Sequence, residues 1–223
     1  MLVLALDTAT PAVTAAVVEL GVTGGPEVLA ECVTVDARRH GELLAPSIEA
    51  VLAEAGAGLG QLSAVVAGVG PGPFTGLRVG LVTAATFADA IGLPTYGVCS
   101  LDAVAYPPWE APSPLLVATD ARRREVYWAT YGPGGHRLTK PSVDRPAEVP
   151  TDGCRLARGA GALIYAEVLR LPVGEPTYPP AVALVALAAS RLQAGAPSEA
   201  LSPLYLRRPD ATEPGAAKTT LRR

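Results

Sequence analysis

The sequence predicts an α/β fold that is built from two related halves. Over the first 105 residues, apolar runs, turn residues and helix-spaced apolar positions follow each other in the order β-β-β-α-β-α-β. A second strand–turn–strand, VATDARRREVYWATY, resembles the opening LALDTATPAVTAAVV, with Asp120 aligned to Asp7 at an offset of 113 residues. Because this offset is about half of the 223 residues, we expect two related units, each opening on a hairpin with an aspartate at its turn.

The first half has the more regular pattern. Its predicted strands cover residues 2–6, 13–20, 27–35, 64–69 and 95–98, and its predicted helices cover residues 39–55 and 75–91. Pro46 lies inside the first of these helices, so we expect a kink or a late helix start there.

The second half follows a proline-rich linker, YPPWEAPSP, at residues 106–114. Its predicted strands cover residues 115–119 and 126–131, followed by a turn and helix at 158–170 and a helix at 181–195. The predicted organisation is a first half at 1–105, a second half at 106–208, and a polar tail at 209–223 that we expect to be disordered.

Composition narrows the class of protein. Apolar residues make up 49% of the chain and charged residues only 17%. The charged share is below the ~25% of typical soluble domains, so we expect a partner to cover some apolar surface. The net charge of −3 does not indicate a nucleic-acid-binding protein. Three separated cysteines without a CxxC pair favour reduced thiols over a disulfide framework or a zinc ribbon.

The sequence also bears on location. The N-terminal MLVLALDTAT has no basic region and meets an aspartate at position 7, which is typical of a strand rather than of a signal peptide. No apolar run approaches the ~18 residues that a membrane-spanning helix needs. We therefore expect a cytoplasmic protein without membrane contact.

The most distinctive stretch is VAGVGPGPFTGLRVG, in which a strand leads through a glycine-rich turn into a helix. Such a turn often holds a phosphate, because the helix N-terminus attracts it. This loop, however, has no lysine, and its two prolines have no amide donor. With the first hairpin turn it gives six candidate nucleotide contacts, which we interpret as vestigial: Asp7, Thr8, Gly70, Gly72, Thr75 and Gly76.

Asp7 allows two interpretations. A strand–turn–strand with an aspartate at its tip is how actin-like kinases and heat-shock ATPases begin. Their D-x-G-[ST] turn has glycine where this chain has Ala9, whose methyl group narrows the approach of a phosphate. The alternative is that Asp7 caps its own turn through its side chain.

The predicted helix at 75–91 contains the charge-free run VGLVTAATFA. A surface helix should show a polar face. This helix is therefore either buried within its own domain, or it packs one face on the sheet and offers the other to a second protein. Its small residues, Gly80, Ala84, Ala85 and Ala88, would let another helix approach closely.

The two histidines do not indicate a metal site. His40 opens the predicted helix at 39–55, but Leu44 occupies the position four residues on, where a second helical ligand would stand. His136 lies in a turn of the second half, and the chain has no GxSxG motif, so we also predict no Ser-His-Asp triad. His40 is better explained as a helix-start or interface residue.

Three consecutive arginines, Arg122, Arg123 and Arg124, form the turn of the second hairpin. They are either a solvated hairpin tip or a contact to RNA phosphate or to an acidic partner. Both interpretations remain open at this point.

These segments together resemble the TsaB (YeaZ) family. The resemblance runs from residue 1 to about residue 208 and is carried by LALDTATPAVTAAVV, RRHGELLAPSIEAVL, GVGPGPFTGLRVG, TDARRREVYWATY and PLYLRRP. It implies an actin-like (ASKHA) α/β fold of two ribonuclease-H-like halves, with a mixed five-stranded sheet and helices in the first and a reduced second half. It also implies a non-catalytic subunit that binds TsaD. With TsaE in a larger complex, that subunit supports threonylcarbamoyl transfer to the adenosine beside the anticodon of tRNA.

The resemblance further implies site residues. The family's helices that meet TsaD correspond to residues 39–55 and 75–91, which gives an expected interface of His40, Leu44, Arg78, Leu81, Ala84, Ala85 and Ala88. We expect tRNA to be reached only through the complex, and we expect no cofactor, metal or catalytic residue. The chain departs from the family at Arg124, where glycine is common in D-A-R-x-G-E. The departure concerns the geometry of the turn, and with it any role that the resemblance implies for Arg122.

Two other functions remain open at this point. An active ATP-dependent enzyme of the actin-like class would bind and turn over ATP by itself. A glycoprotease-like metallopeptidase would need a metal. Whether the free protein forms a homodimer is also open.

Overall fold

The computed structural model describes residues 1–22, 24–106 and 110–207, which contain two five-stranded mixed sheets. In chain order, the elements of the first half are β1 (Leu2–Asp7), β2 (Ala12–Leu20), β3 (Pro26–Val35), α1 (His40–Glu54), β4 (Leu62–Gly68), α2 (Phe74–Ile91), β5 (Thr95–Val98) and α3 (Ser100–Ala105). The strands are arranged β3-β2-β1-β4-β5, with β2 antiparallel to its neighbours and β1, β4 and β5 parallel. The predicted element order of the first half is confirmed.

The second half repeats this arrangement with smaller elements. They are β6 (Leu115–Asp120), β7 (Val126–Tyr131), β8 (Ser142–Asp144), β9 (Leu156–Arg158), α4 (Ala160–Ile164), α5 (Ala166–Leu169) and β10 (Val173–Gly174), and they are followed by α6 (Ala181–Gln193). The second sheet has the order β8-β7-β6-β9-β10, which matches the first sheet strand for strand. The predicted α/β fold of two ribonuclease-H-like halves, the second reduced, is confirmed.

The differences from prediction concern short elements. α3, β8, β9 and β10 have six residues or fewer, which is too short to give a periodic pattern. The helix predicted at 158–170 is broken at Tyr165, where the backbone leaves the helical region between α4 and α5. α1, in contrast, begins at His40 and continues through Pro46, so it does not start late.

Helices cover both faces of the first sheet. α1 and α2 pack on one face, where Leu44 and Leu77 meet Leu4. α6 packs on the other face, where Leu184 meets Val3. The last helix of the chain therefore completes the core of the first half.

The predicted second half at 106–208 needs correction at its C-terminal end, because α6 and the chain that follows it lie on the first sheet. We call residues 196–207 the return segment. Two other predictions fall on residues that the structure does not describe: part of the linker, residues 107–109, and the tail at 209–223.

The return segment covers the free edge of β5. The amide of Thr95 donates a 3.0 Å hydrogen bond to Ser198 Oγ, and the amide of Glu199 donates a 2.8 Å bond to the carbonyl of Thr95. The amide of Gly97 donates to Glu199 Oε2 at 3.1 Å, and Arg191 Nη1 donates to the carbonyl of Gly97 at 3.1 Å. The outward backbone groups of this edge strand are thus bonded within the chain.

The two hairpins are related, but one offset does not describe both of their strands. Val13 of β2 lies on the sheet face that α1 and α2 cover, and Val126 of β7 lies on the sheet face that α4 and α5 cover. This correspondence agrees with the offset of 113 residues. On the first strand of each half, Leu4 of β1 and Leu116 of β6 lie on the same faces as these two valines. This correspondence gives an offset of 112 residues.

The packing therefore makes Thr119, not Asp120, the counterpart of Asp7. Successive side chains of a strand point to opposite faces, so Asp120 points away from the face that corresponds to that of Asp7. The expectation that each half carries an equivalent aspartate at its turn is corrected.

By length and composition alone, α2 could cross a membrane, since its 18 residues have a mean hydropathy of 1.2. Its charge-free run, Val79–Ala88, is bounded by Arg78 and Asp89 and is shorter than the ~18 apolar residues that a membrane-spanning helix needs. One face of α2, with Leu77 and Ala84, lies in the core beside β4, as in the core helix of a globular domain. The three cysteines are unpaired, as predicted.

Candidate functional site

The first hairpin turn lies directly against the glycine-rich loop and the first turns of α2. The hydroxyl of Thr8 donates a 2.7 Å hydrogen bond to the carbonyl of Gly76. A Cβ atom on Gly72 would lie 2.3 Å from the carbonyl oxygen of Ala9, and one on Gly80 would lie 2.3 Å from Thr8 Oγ1. Both distances are far shorter than a real Cβ contact. The glycines therefore admit the chain's own hairpin turn, which fills the space in front of them.

Asp7 is the buried polar centre of this contact. Its Oδ2 accepts a 2.6 Å hydrogen bond from the hydroxyl of Ser100, and its Oδ1 accepts a 2.8 Å bond from the amide of Ala9. Ser100 Oγ in turn accepts a 3.2 Å bond from the amide of Gly70. Asp7 thus caps its own turn, as the second interpretation holds, and through Ser100 it also joins β1 to the glycine loop.

The buried environment changes the acidity of Asp7. Burial raises the pKa of its carboxyl to about 6, because a charge in an apolar interior loses its hydration. The hydrogen bonds from Ser100 and Ala9 act in the opposite direction and limit this rise. The carboxyl is therefore a poor anchor for a hydrated metal, since its oxygens are already used within the chain.

The predicted nucleotide contacts come together, with one exception. Asp7, Thr8, Gly70, Gly72 and Gly76 are buried at the hairpin–loop contact, whereas Thr75 is exposed on α2. Sequence reasoning missed Ser100 because it predicted no helix at α3. A serine at the first position of a helix, directly after β5, was the only local signal.

His40 connects the start of α1 to the first hairpin turn. It is buried at the start of α1, and its Nε2 donates a 2.8 Å hydrogen bond to the carbonyl of Thr10 in the first hairpin turn. Among the residues that the structure describes, no group of three or more histidine, cysteine, aspartate or glutamate side chains is placed to hold a metal ion. His40 therefore joins α1 to the hairpin.

A cleft of about 390 Å³ separates the glycine loop from the second half. Phe74 and Tyr127 contribute aromatic walls, and Arg122, Arg123 and Arg207 contribute basic groups. Two carboxylates partly offset this charge: Arg207 forms an ion pair with Glu125, and Arg122 Nε lies 3.8 Å from Asp120 Oδ2. The cleft thus has a basic rim with a reduced net charge.

The arginine turn has a left-handed backbone at three consecutive residues. The φ angles are 61° at Arg122, 55° at Arg123 and 61° at Arg124. Residues with a Cβ atom adopt this conformation at a cost of roughly 1–2 kcal/mol, whereas glycine adopts it freely. The glycine common in the family therefore suits this position, and the chain keeps the turn with Arg124 in its place.

Most of the expected interface residues are buried within the chain. Leu44 of α1 and Leu81, Ala84 and Ala88 of α2 lie in the core of the first half, and His40 is also buried. These side chains offer little surface to a partner. Arg78 and Ala85, the other two expected interface residues, are exposed on the outer face of α2.

The outer face of α2 combines apolar and aromatic side chains. Phe74 is 42% exposed and Val82 is 62% exposed, and Ala85 lies one turn beyond Val82 in the solvent. The guanidinium carbon of Arg78 lies 3.9 Å from the centre of the Phe74 ring, and Arg78 Nε donates a 2.8 Å hydrogen bond to the hydroxyl of Tyr205. The return segment thus borders this face and leaves a groove beside Val82 and Ala85.

Comparison with known proteins gives matches over both halves. Residues 27–172 match the family model described as TsaD: tRNA N6-adenosine threonylcarbamoyltransferase. An uncharacterized protein of Mycobacterium tuberculosis is 51% identical over 209 residues, which cover 94% of this chain and 93% of that protein. The Escherichia coli tRNA threonylcarbamoyladenosine biosynthesis protein TsaB is 35% identical over 133 residues, which cover 59% of this chain and 55% of that protein.

A solved structure agrees with the sequence matches. The structure of YeaZ from Pseudomonas aeruginosa superposes with a TM-score of 0.74 and 28% sequence identity, covering 92% of this chain and 99% of that chain. The shared architecture thus extends over nearly the whole of both proteins. On its strand order, its glycine loop and these relatives, the chain belongs to the TsaB/YeaZ family of tRNA threonylcarbamoyladenosine biosynthesis.

Proposed function

We propose that this chain is a non-catalytic subunit that binds a TsaD-type threonylcarbamoyltransferase. In this role it supports, together with TsaE, threonylcarbamoyl transfer to the adenosine beside the anticodon of tRNA in the cytoplasm. It reaches tRNA only through the complex. The observation that carries the proposal is the close packing of the first hairpin turn on the glycine loop, where Gly72 and Gly80 lie against Ala9 and Thr8.

Phosphoryl chemistry needs groups that this loop lacks. Catalysts of phosphoryl transfer stabilise the developing charge with backbone amides, a lysine and metal ions. The loop has no lysine, and Pro71 and Pro73 have no amide hydrogen. The carboxylate of Asp7 is buried and bonded to Ser100. These features support an accessory role over the ATP-dependent alternative.

The outer face of α2 supports the choice of a protein partner. Val82 and Ala85 are exposed on a helix whose other face is fully packed. Contiguous exposed apolar surface commonly marks an interaction site. In our proposal Val82 and Ala85 contact helices of the TsaD-type partner, and Arg78 lies at the edge of that contact.

Reconstitution tests this function. The purified chain is mixed with TsaD, TsaE, the threonylcarbamoyl donor, ATP and unmodified tRNA, and the modified nucleoside is measured by mass spectrometry. We expect modification only when the chain and TsaD are both present, and we expect the chain alone to hydrolyse ATP no faster than a buffer blank.

Two results would contradict the proposal. ATP turnover by the isolated chain that disappears in the Asp7→Asn variant would assign catalysis to this chain. One zinc or iron per chain in elemental analysis, lost in the His40→Ala variant, would support the metallopeptidase alternative.

A further inference from the structure

The two halves meet on two sides, and the first of these is apolar. Beside α3, Leu101 and Val104 pack with Leu115 and Tyr131 of the second sheet in a buried cluster, which we call the α3 junction. Among the buried apolar clusters of the described residues, this cluster alone joins the two halves. Separating its side chains would expose apolar surface to water, which is unfavourable. The α3 junction is therefore the pivot for any movement of one half against the other.

The other side faces the cleft, and polar contacts cross it. The hydroxyl of Tyr127 donates to the carbonyl of Gly72 at 3.4 Å, which is long for a hydrogen bond. Arg207 forms an ion pair with Glu125, and its Nη1 donates a 3.3 Å hydrogen bond to the carbonyl of Ala121. Both members of this ion pair are partly exposed, and such pairs contribute little to stability in water. An opening of the cleft about the α3 junction therefore has a small cost.

The return segment carries Arg207 to the second half from an anchor on the first half. The amide of Leu204 donates a 2.8 Å hydrogen bond to the carbonyl that directly precedes the glycine loop. The ring of Tyr205 stacks on Phe74 with 5.2 Å between the ring centres, and its hydroxyl accepts the bond from Arg78. One residue separates Tyr205 from Arg207, so a displacement of Tyr205 moves Arg207 as well.

The groove on the outer face of α2 also depends on the return segment. Val82 and Ala85 form its wall on α2, and the residues of the return segment that form the opposite wall are Leu201, Pro203 and Tyr205. The groove therefore has this shape only while Tyr205 is held in place. A ligand that fits one conformation better than another shifts the population toward the conformation that it fits.

We propose that the return segment couples the groove on α2 to the cleft between the halves. Arg207 and Glu125 form a latch that holds the cleft closed. A partner helix in the groove packs against Tyr205, keeps the return segment in place and favours the latched state. This coupling rests on the proposed function, in which a TsaD-type partner contacts Val82 and Ala85. Because coupling between two sites is reciprocal, release of the latch weakens binding of the partner, although the latch lies outside the groove.

The isolated full chain tests the latch. Nitroxide labels on cysteines at positions 38 and 124, one on each half and both exposed, report the separation of the halves by pulsed electron paramagnetic resonance. The three native cysteines are replaced by alanine in this background. We expect a longer distance in Arg207→Ala, and we expect the charge swap of Arg207→Glu with Glu125→Arg to restore the short distance.

Controls separate the latch from general damage to the fold. Arg155→Ala, a matched change at an exposed arginine that does not line the cleft, should leave the distance unchanged. Circular dichroism melts report whether each variant folds. An unchanged distance in folded Arg207→Ala would overturn the latch.

Binding of TsaD tests the coupling, and titration calorimetry measures it. We expect Arg207→Ala and Glu125→Ala each to weaken TsaD binding about fivefold or more. The charge swap should recover most of this loss, and Arg155→Ala should bind as the wild type does. Addition of TsaD should also shift the distance distribution of the labelled wild type toward its short end.

The outcomes distinguish this coupling from the proposed function. A wild type that does not bind TsaD would refute the proposed function, and the coupling with it, whereas the distances in the isolated chain would still decide whether the latch exists. Wild-type affinity in folded Arg207→Ala would overturn the coupling alone. So would TsaD that binds and lengthens the distance, since the partner would then favour the open cleft.

Discussion

The hydroxyl of Ser100 donates a 2.6 Å hydrogen bond to the buried carboxylate of Asp7, and this bond joins α3 to the end of β1 across 93 residues of sequence. This carboxylate is part of the interior. Because burial raises the pKa of Asp7 to about 6, the burial of this carboxyl makes stability depend on pH.

The Asp7→Asn variant should reveal this dependence. Between the ordinary pKa of 3.8 and about 6, the folded protein holds a proton on Asp7 that the unfolded chain has lost. The stability of the wild type therefore includes a contribution that is present at low pH and is lost as pH rises through about 6. Relative to the wild type, Asp7→Asn should gain about 3 kcal/mol in unfolding free energy between about pH 3 and about pH 7. Urea titrations at several pH values measure it, and a difference that is constant with pH would contradict it.

The close approach of α2 to the first hairpin turn predicts opposite effects for two helical glycines. Gly80→Ala would push a methyl group into Thr8 Oγ1 and break the bond from Thr8 to Gly76, so it should destabilise the fold by about 2 kcal/mol. Gly41→Ala in α1 meets no atom within 4 Å and should stabilise the fold by about 0.5 kcal/mol. Denaturant unfolding of both variants provides the measurement. Equal effects would show that the hairpin yields to the new methyl group.

Two neighbouring alanines of α2 should separate folding from partner binding. Ala84 is buried, so Ala84→Arg places an unpaired charge in the core at a cost of several kcal/mol, roughly enough to unfold the domain. Ala85 is exposed, so Ala85→Arg should keep the wild-type melt but abolish capture of TsaD and modification of tRNA. Ala85→Ser serves as the matched control and should bind normally. Wild-type binding by folded Ala85→Arg would exclude the outer face of α2 as the interface.

The arginine turn should affect tRNA binding mainly through charge. If Arg122, Arg123 and Arg124 contact phosphates in the assembled complex, changing all three to alanine should flatten the dependence of tRNA affinity on salt. Removing one arginine–phosphate pair should lower the logarithmic slope by about one, because fewer counterions are released. Filter binding at several salt concentrations measures the slope. An unchanged slope would identify the turn as a solvated hairpin tip.

How much of this structure the sequence predicts depends on how far apart in the chain the contacting residues lie. The strands of the first half and the long helices were predictable because their patterns are local. The faces of α2 were not, since its central run, Val79–Ala88, has no charged residue by which to distinguish buried Ala84 from exposed Ala85. The bond between Asp7 and Ser100 leaves no local trace in either segment. The sheet on which α6 packs is likewise set by tertiary structure, not by its own pattern.

The return of α6 to the first sheet governs when each half can become native during synthesis. Val3 and Ala5 at the start of the chain stay uncovered on one face until Leu184 and Leu192 near its end have left the ribosome. The second half closes its core with Val173 and residues before it, so it can be complete earlier. Domains usually mature in the order in which they emerge, N-terminal first. In this protein both faces of the first sheet can be covered only after α6 has emerged, which is later than the last core residue of the second half.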